Sequence, residues 1–249
     1  ACGLTMMFET ASLSQTGGRR SNQASFGYEA NQIKGCWVVA DGLGGHAGGE
    51  TASRMAVDSV LSRFRQETDV SPNSIESCLQ TAHQAIQVKA AAEYELAAMR
   101  TTLVVLAWTG KQAVWGHVGD SRLYWFRQGK IFHQTKDHSV PQMLVDAGKL
   151  DPLQIRGHED QNRLTRAVGQ AGALKTSVLP EALALQPGDA ALLCSDGIWT
   201  YVLEAELEAD WARAASATEY LALLERRVLE RAEPEHDNYT AIAVRFPGE

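Results

Sequence analysis

The stretch GCWVVADG, residues 35–42, joins a short run of apolar residues to an abrupt Asp-Gly pair. Apolar runs of this length, bounded by turn residues, are typical of buried β-strands. The same pattern returns in ALALQPGDAALLCSDG, residues 182–197, which end in Asp196 and Gly197. A third acidic residue, Asp237, directly precedes the strand-like run NYTAIAV. The chain therefore places three aspartates at the edges of three predicted strands.

Predicted strands and helices follow one another in blocks along the chain. The predicted strands are 4–14, 35–42, 101–108, 113–126 with a turn at RQGK into IFHQT, 182–197 and 239–246. The predicted helices are one that follows Glu50, one from Ser71-Pro72 to about Ala98, and two near 203–212 and 216–232. Blocks of this kind, without strict βαβ alternation, predict an α+β fold in which helices cover antiparallel sheets.

The composition excludes several classes of protein. With 249 residues and 45% hydrophobic residues, the chain can bury a sizeable core in a single domain, 1–249. Its formal charge of -7 argues against a nucleic-acid partner. We expect no membrane partner, because no apolar run approaches the roughly 18 residues that a membrane helix needs. The four cysteines form no CxxC pair, so we expect free thiols and a cytoplasmic location. We also expect a monomer.

The three aspartates point to a divalent cation. An ionised carboxylate at the edge of an apolar strand is costly unless it is paired or ligated. Lys and Arg are scarce around Asp41, Asp196 and Asp237, whereas oxygen ligands suit Mg²⁺ or Mn²⁺. Any one of them could instead cap a turn, as Asp-Gly often does, but a metal site explains all three together. Asp120, in GHVGDSRLYW, is open to two interpretations: contact with a metal, or a turn bonded to Ser121.

The glycine-rich stretch at residues 42–47, GLGGHA, also matches a dinucleotide-binding fingerprint. That fold requires a second strand ending in an acid about 20 residues further on. Residues 61–72, LSRFRQETDVSP, show no apolar strand, and no Gly-Lys-Ser/Thr of a phosphate-binding loop occurs. The glycines are better explained as space around a metal and its substrate, with His46 as a polar loop residue.

Eight motifs, in this order, give the chain a resemblance to a known family. They are RRSNQAS, VVADGLGGHAGGETAS, TTLVVL, GHVGDSRLYWF, TKDHS, RLTRAVG, LLCSDGIW and HDNYTAIAV. Over nearly its whole length the chain resembles the metal-dependent PP2C-type (PPM) protein serine/threonine phosphatases, in their bacterial stand-alone form. The resemblance implies an α-β-β-α sandwich, two antiparallel sheets packed together with helices outside.

The resemblance also implies roles for individual residues. Asp41 would bridge two Mn²⁺ or Mg²⁺ ions, and the carbonyl of Gly42 would bind one of them. Asp196 and Asp237 would complete the other. Arg19 would hold the phosphate, for which a planar guanidinium is suited. A hydroxide bridging the two ions would attack phosphorus in line, without a covalent phosphoenzyme.

Further expectations follow from the same resemblance. Asp120 would help to hold a third ion, although the family often has another Asp where this chain has Thr200. Leu43 stands where eukaryotic members have a histidine that acts as proton donor, so water would protonate the leaving group. The polar stretch 139–170 would form the family's flap-like insertion beside the active site. The implied partners are phosphorylated proteins, substrates of a bacterial Ser/Thr kinase.

The family pattern N-[QE]-D is broken at Ala24, which follows Asn22 and Gln23. We expect Ala24, engineered or natural, to replace an aspartate that orders metal-bound water and thereby to weaken activity. Two other functions remain open: a catalytically silenced variant that binds phosphoproteins, and a hydrolase of small phosphate esters.

Overall fold

The computed structural model describes residues 8–43 and 46–246, and for residues 46 and 47 the backbone alone. Within these residues two antiparallel sheets face each other and helices cover their outer sides, which confirms the predicted α+β sandwich. The strands are β1 Glu9–Gln15, β2 Ala24–Ala30, β3 Lys34–Leu43, β4 Arg100–Thr101, β5 Leu103–Thr109, β6 Gln112–Val118, β7 Arg122–Arg127, β8 Lys130–Gln134, β9 Ser177–Val178, β10 Leu183–Ala184, β11 Ala190–Cys194 and β12 Tyr239–Arg245. The α-helices are α1 His46–Gln66, α2 Pro72–Ala92, α3 Val140–Asp146, α4 Asp196–Trp199, α5 Glu204–Arg213 and α6 Ala217–Arg231.

The first sheet has the strand order β1-β12-β11-β7-β8, and the second has the order β10-β6-β5-β3-β2. The predicted strand region 113–126 forms two strands, β6 and β7, which belong to different sheets. Gly119 has a φ of +100°, a conformation that glycine adopts readily, and it lets the chain turn from one sheet to the other. Asp120 lies in this crossing between the sheets.

The burial of strand β3 on both faces explains why its sequence is continuously apolar. Trp37 and Val39 pack into the core between the two sheets. Cys36, Val38 and Ala40 point the other way, into the core beneath α1 and α2. A strand buried on both faces needs apolar residues at every position.

The helices of the outer layers begin and end close to the predicted positions. Ser71 caps α2 through a hydrogen bond from the backbone N–H of Ser74, and Pro72 occupies the first helical position. The helix ends at Ala92, before the predicted Ala98, and a 3-10 turn follows at Tyr94–Leu96. None of the helices in the described part of the chain is long and apolar enough to cross a membrane.

Strand β2 was not predicted. Its sequence, ASFGYEA, mixes polar and small residues, because it lies at the edge of its sheet and is only partly covered by α1. It pairs with β3 so that Ala24 lies directly opposite Asp41.

The predicted first strand, 4–14, is found as β1 from Glu9, and its residues 4–7 lie outside the described part of the chain. Cys36, Cys78 and Cys194 are free thiols buried in the core. The fourth cysteine, Cys2, belongs to the residues that are not described.

The segment 139–170 contains α3 and a 3-10 turn at Pro152–Ile155 and is otherwise irregular. Its Arg156 fastens it to the helical layer next to β11. The guanidinium donates to the carbonyl oxygens of Trp199 at 2.6 Å and Val202 at 3.2 Å, and to the carboxylate of Glu204 at 2.9 Å. The segment is therefore held across one end of the sandwich.

Candidate active site

A cavity of about 450 Å³ opens at the end of the sandwich where the predicted site residues meet. Its walls include every predicted phosphate or metal residue, Arg19, Asp41, Gly42, Asp120, Asp196 and Asp237. Four separate parts of the fold supply the carboxylates: the end of β3, the crossing between the sheets, the start of α4 and the loop before β12. Asn162 and Leu164, from the segment 139–170, also line the cavity.

The backbone of Asp41 is held from β4 and the residue that follows it. The N–H of Asp41 donates to the hydroxyl of Thr102 at 2.9 Å. The carbonyl oxygen of Asp41 accepts from the N–H of Thr102 at 2.8 Å and from the hydroxyl of Thr101 at 2.9 Å. Two threonines therefore hold the backbone from which the Asp41 side chain projects, a role that the sequence alone did not predict.

Asn238 holds the loop that carries Arg19. Its side-chain oxygen accepts from the N–H of Gln23 at 2.8 Å, and its amide donates to the carbonyl oxygens of Thr16 at 2.7 Å and Ser21 at 3.0 Å. Asn238 is buried, so these bonds are shielded from water. The motif HDNYTAIAV does not reveal this role of Asn238, since its partners lie more than 200 residues away.

Two glycines beside the aspartates allow backbone segments to touch. A Cβ at Gly42 would overlap the carbonyl oxygen of Gly49, at the start of α1. A Cβ at Gly197 would overlap the carbonyl oxygen of Asn238. These glycines therefore bring the chain segments of the site together, in addition to leaving space in the cavity.

The carboxylates stand too close together for all of them to ionise freely. Burial, together with the negative charge of Asp196, raises the pKa of Asp41 well above its ordinary value. Burial and the same neighbour also raise the pKa of Asp120. Burial and the charge of Asp237 raise the pKa of Asp196 to about 6. Such a group of buried carboxylates favours a cation that would compensate their charge.

Asp237 forms an ion pair with Arg19, a contact that was not predicted although Arg19 was expected in the same site. Its Oδ2 accepts from a guanidinium N–H of Arg19 at 3.1 Å, although the two residues are far apart in sequence. Both side chains are about half exposed, 54% for Arg19 and 44% for Asp237. An ion pair this exposed contributes roughly 0–1 kcal/mol, so a competing cation or phosphate can separate it.

The carboxylate oxygens of this cavity suit a hard divalent cation, although they do not form a closed ligand group. In the described part of the chain, no three His, Cys, Asp or Glu side chains already form a closed ligand group. Asp41 and Asp196 repel each other when both are ionised, and the Arg19 guanidinium contacts the carboxylate of Asp237 at 3.1 Å. Oδ1 of Asp196 is buried and has no hydrogen-bond partner among the described residues, as expected of an atom that would bind a cation. Oxygen donors of this type suit Mg²⁺ and Mn²⁺.

The positions that depart from the family pattern lie around the same cavity. Ala24 is buried, 8% exposed, and its side chain lies on the same face of the sheet as that of Asp41. Leu43 lines the cavity, whereas the side chain of His46 lies outside the described part of the chain. The hydroxyl of Thr200 accepts a hydrogen bond of 2.8 Å from the amide of Gln161.

Comparison with known proteins places this arrangement in a family. The family model for protein phosphatase 2C matches residues 18–236. The serine/threonine phosphatase stp of Listeria innocua is 36% identical over 178 residues, which are 69% of each chain. Among solved structures, Stp1 of Staphylococcus aureus superposes with a TM-score of 0.86 and 27% identity, covering 100% of this chain and 98% of that one.

The catalytic domain of the phosphatase PstP, solved in complex with two manganese ions, superposes with a TM-score of 0.83 at 26% identity. It matches 98% of this chain and 100% of its own. The chain therefore belongs to the protein phosphatase 2C family, and its enzyme class is that of a protein serine/threonine phosphatase.

Proposed function

We propose that the chain hydrolyses phosphoserine and phosphothreonine on proteins with the help of bound Mn²⁺ or Mg²⁺. The observation that carries this proposal is the group of carboxylates that meets Arg19 in one cavity. No other chemistry explains four acidic side chains gathered beside a guanidinium at the ends of apolar strands as well as metal-assisted phosphate hydrolysis does.

Asp41, Asp196 and Asp237 would hold two divalent cations, with the carbonyl of Gly42 as a further ligand. The two manganese ions of the PstP catalytic domain support this assignment. Bound divalent cations would activate water and neutralise the charge of the phosphoryl group. Asp120, buried beside Asp196 in the same cavity, is the proposed ligand of a third ion.

Arg19 is the proposed phosphate-binding residue. Its guanidinium can exchange the exposed contact with Asp237 for two hydrogen bonds to a phosphoryl group. Asn238 keeps the Arg19 loop against the strand that Asp237 precedes. No nucleophilic side chain is required, so the buried Cys36 and Cys194 are dispensable.

Ala24 is the proposed cause of weakened catalysis. An aspartate at this position would lie beside Asp41 on the sheet and could accept a hydrogen bond from water at the site. Loss of such an outer partner typically lowers metal affinity or activity by roughly 10–100-fold. The same observation favours a second candidate function, a silenced phosphatase that binds phosphoproteins without hydrolysing them.

The proposal is tested with a phosphothreonine peptide and p-nitrophenyl phosphate as substrates. We expect hydrolysis of both to require Mn²⁺ or Mg²⁺ and to disappear in Asp196→Asn. A Cys36→Ser variant serves as the control and should keep its activity. Peptide binding without turnover would replace the proposal by the silenced function. Metal-independent turnover would refute the proposed ligands.

We also propose the domain organisation, the substrates, the location and the oligomeric state of the enzyme. Residues 1–249 would act as one phosphatase domain, with 139–170 as a flap whose Asn162 and Leu164 face the cavity. Its substrates would be cytoplasmic proteins phosphorylated by a bacterial Ser/Thr kinase, and the enzyme would act as a monomer.

A further inference from the structure

A second cavity of about 460 Å³ lies between the flap-like segment and the end of β6, apart from the carboxylates of the active site. Its walls carry three imidazoles, His117, His133 and His138, together with Arg166 and Ser177. The rings of His117 and His138 stack with their centroids 4.5 Å apart. This group of polar side chains plays no part in the proposed hydrolysis.

The hydrogen bonds of His138 define its protonation. Its Nδ1 accepts from the backbone N–H of Gly119 at 3.1 Å, so this nitrogen carries no proton. Burial, with the neighbouring His117 and Arg166, lowers the pKa of His138 to about 3, so the ring is neutral at pH 7. The proton of the neutral ring is therefore on Nε2, which donates to the hydroxyl oxygen of Ser177 at 2.8 Å.

This tautomer leaves Arg166 without an acceptor. A guanidinium nitrogen of Arg166 lies 3.2 Å from Nε2 of His138, but both atoms carry protons and neither can accept. Among the described residues Arg166 has no carboxylate partner and no other hydrogen bond. The Ser177 hydroxyl accepts from His138, so its own proton is free to be donated. The Arg166 guanidinium and the Ser177 hydroxyl are thus two donors in the cavity wall that have no acceptor among the described residues.

Each of the two carboxylates in the wall of this cavity accepts hydrogen bonds from neighbours other than Arg166. Both oxygens of Asp137 accept from Arg122 at 2.8 Å. Asp146 accepts from Lys136 at 3.2 Å and from the amide of Gln142 at 3.1 Å. Neither is paired with Arg166, so its partly buried guanidinium is available to an anion from solution.

We propose that the second cavity binds a small phosphate-bearing molecule, with the Arg166 guanidinium and the Ser177 hydroxyl as donors. Donors from separate directions suit a tetrahedral phosphate, and a guanidinium can bind two of its oxygens at once. The volume exceeds that of inorganic phosphate alone. Trp115 and the histidine rings line the remaining space, so an organic group with a flat apolar face would fit beside the phosphate.

The site lies next to the backbone that frames the active site. Leu164 lines the active-site cavity, whereas the next two residues line the second cavity. Val168 exchanges two backbone hydrogen bonds, of 3.1 and 2.9 Å, with Thr101, whose hydroxyl donates to the carbonyl of Asp41. A ligand on Arg166 would therefore order the segment 164–168 between the two cavities.

The test is calorimetric titration of the full chain with phenylphosphonate, a phosphate mimic that cannot be hydrolysed. With Mn²⁺ present we expect two binding events, of which EDTA removes the one at the active site. The EDTA-resistant event should weaken by about 10–100-fold in Arg166→Ala, the effect of losing charged hydrogen bonds. Inorganic phosphate is titrated in parallel, and tighter binding of phenylphosphonate indicates an organic ligand, whereas equal affinity indicates free phosphate.

Arg163→Ala is the matched control, because Arg163 lies on the same segment but forms an exposed contact with Asp160. It should bind as the unaltered chain does. Hydrogen exchange gives a second measurement, in which phenylphosphonate protects the amide of Val168 in the Arg163 variant and leaves it unchanged in the Arg166 variant. The absence of an EDTA-resistant event, or equal affinity of the two variants, overturns the proposal. A failure of the metal-site proposal would instead remove the EDTA-sensitive event alone.

Discussion

At the scale of single residues, the methyl group of Ala24 separates this chain most clearly from the family pattern. It lies opposite Asp41 in the pairing of β2 with β3, and it is buried. Directly opposed residues of an antiparallel pair have Cβ atoms about 4.5–5.5 Å apart, so a carboxylate at position 24 would lie beside Asp41. The sequence motif and the strand register thus lead to the same expectation.

Ala24→Asp should therefore raise activity. We expect about a 10–100-fold gain in turnover or in the apparent affinity for Mn²⁺, because the new carboxylate can orient water at the site. The measurement is hydrolysis of p-nitrophenyl phosphate over a series of Mn²⁺ concentrations. Ala24→Asn, of similar size but without the charge, is the control. Equal rates for the Asp, Asn and Ala forms would show that position 24 has no part in catalysis.

Residue types and motifs predicted which side chains line the cavity, but not how they are held. Asp41, Asp196 and Asp237 could be found because a charged residue at the end of an apolar strand needs an explanation. The roles of Thr102 and Asn238 could not be predicted, because these polar residues act through partners that come close only in the folded chain. The Arg19–Asp237 pair escaped prediction for the same reason.

At the scale of elements, glycine determines how closely β3 and α4 approach their neighbours. Gly197→Ala should destabilise the fold, because the new methyl group would overlap the backbone of Asn238. We expect a loss of about 1–3 kcal/mol in the free energy of unfolding, as for other overpacked sites, together with a loss of activity.

Gly48→Ala is the matched control. An added Cβ there would meet Met99 at 3.5 Å, an ordinary contact, and Gly48 lies within α1. Replacing a helical glycine by alanine should stabilise by up to about 1 kcal/mol. Urea unfolding of both variants measures the difference, and a Gly197→Ala variant as stable as Gly48→Ala would contradict the packing described for α4.

A buried ion pair joins β7 to the residues before α3. Arg122 and Asp137 are 3% and 1% exposed, and the guanidinium also lies 3.7 Å over the ring of Trp199. Asp137→Ala should cost about 3–5 kcal/mol in urea unfolding, because among the described carboxylates the buried guanidinium keeps only the longer contact with Glu204, at 3.4 Å. Lys136→Ala, which removes a neighbouring exposed pair, should cost no more than about 1 kcal/mol. A similar loss for both variants would contradict this role of Asp137.

Elements buried on both faces, or with clear helical periodicity, could be predicted from sequence, as β3, α5 and α6 show. Strand β2 could not, because an edge strand needs few apolar residues. The division of 113–126 into β6 and β7 could also not be predicted from the sequence. Apolar residues continue through it, and only the left-handed Gly119 marks the change of sheet.

At the scale of the whole molecule, the two sheets bring like charges together at one end of the core. The raised pKa values make this arrangement unfavourable when the carboxylates ionise without a cation. For Asp196 the folded pKa of about 6 lies above the unfolded value of about 3.9. Its contribution to stability is therefore complete below pH 4 and is lost as the pH rises through 6.

We accordingly expect the EDTA-treated protein to lose stability relative to Asp196→Asn between pH 4 and about 7. The comparison is made with this variant because the lowered pKa values of His117 and His138 make stability rise with pH. This effect is common to both proteins and cancels in the difference. Urea unfolding at several pH values measures the difference. Adding Mn²⁺ should reverse the order at pH 7, since ligand binding stabilises the folded state. A difference that does not change with pH would contradict the assigned shift.

Calorimetric titration of Mn²⁺ into the EDTA-treated and dialysed full chain shows whether the distant aspartates gather to bind divalent cations. We expect uptake of two ions per chain, as in the PstP catalytic domain, and clearly weaker uptake in Asp196→Asn. No uptake of Mn²⁺ by the unaltered chain, or equal binding by Asp196→Asn, would show that these aspartates are not the ligands.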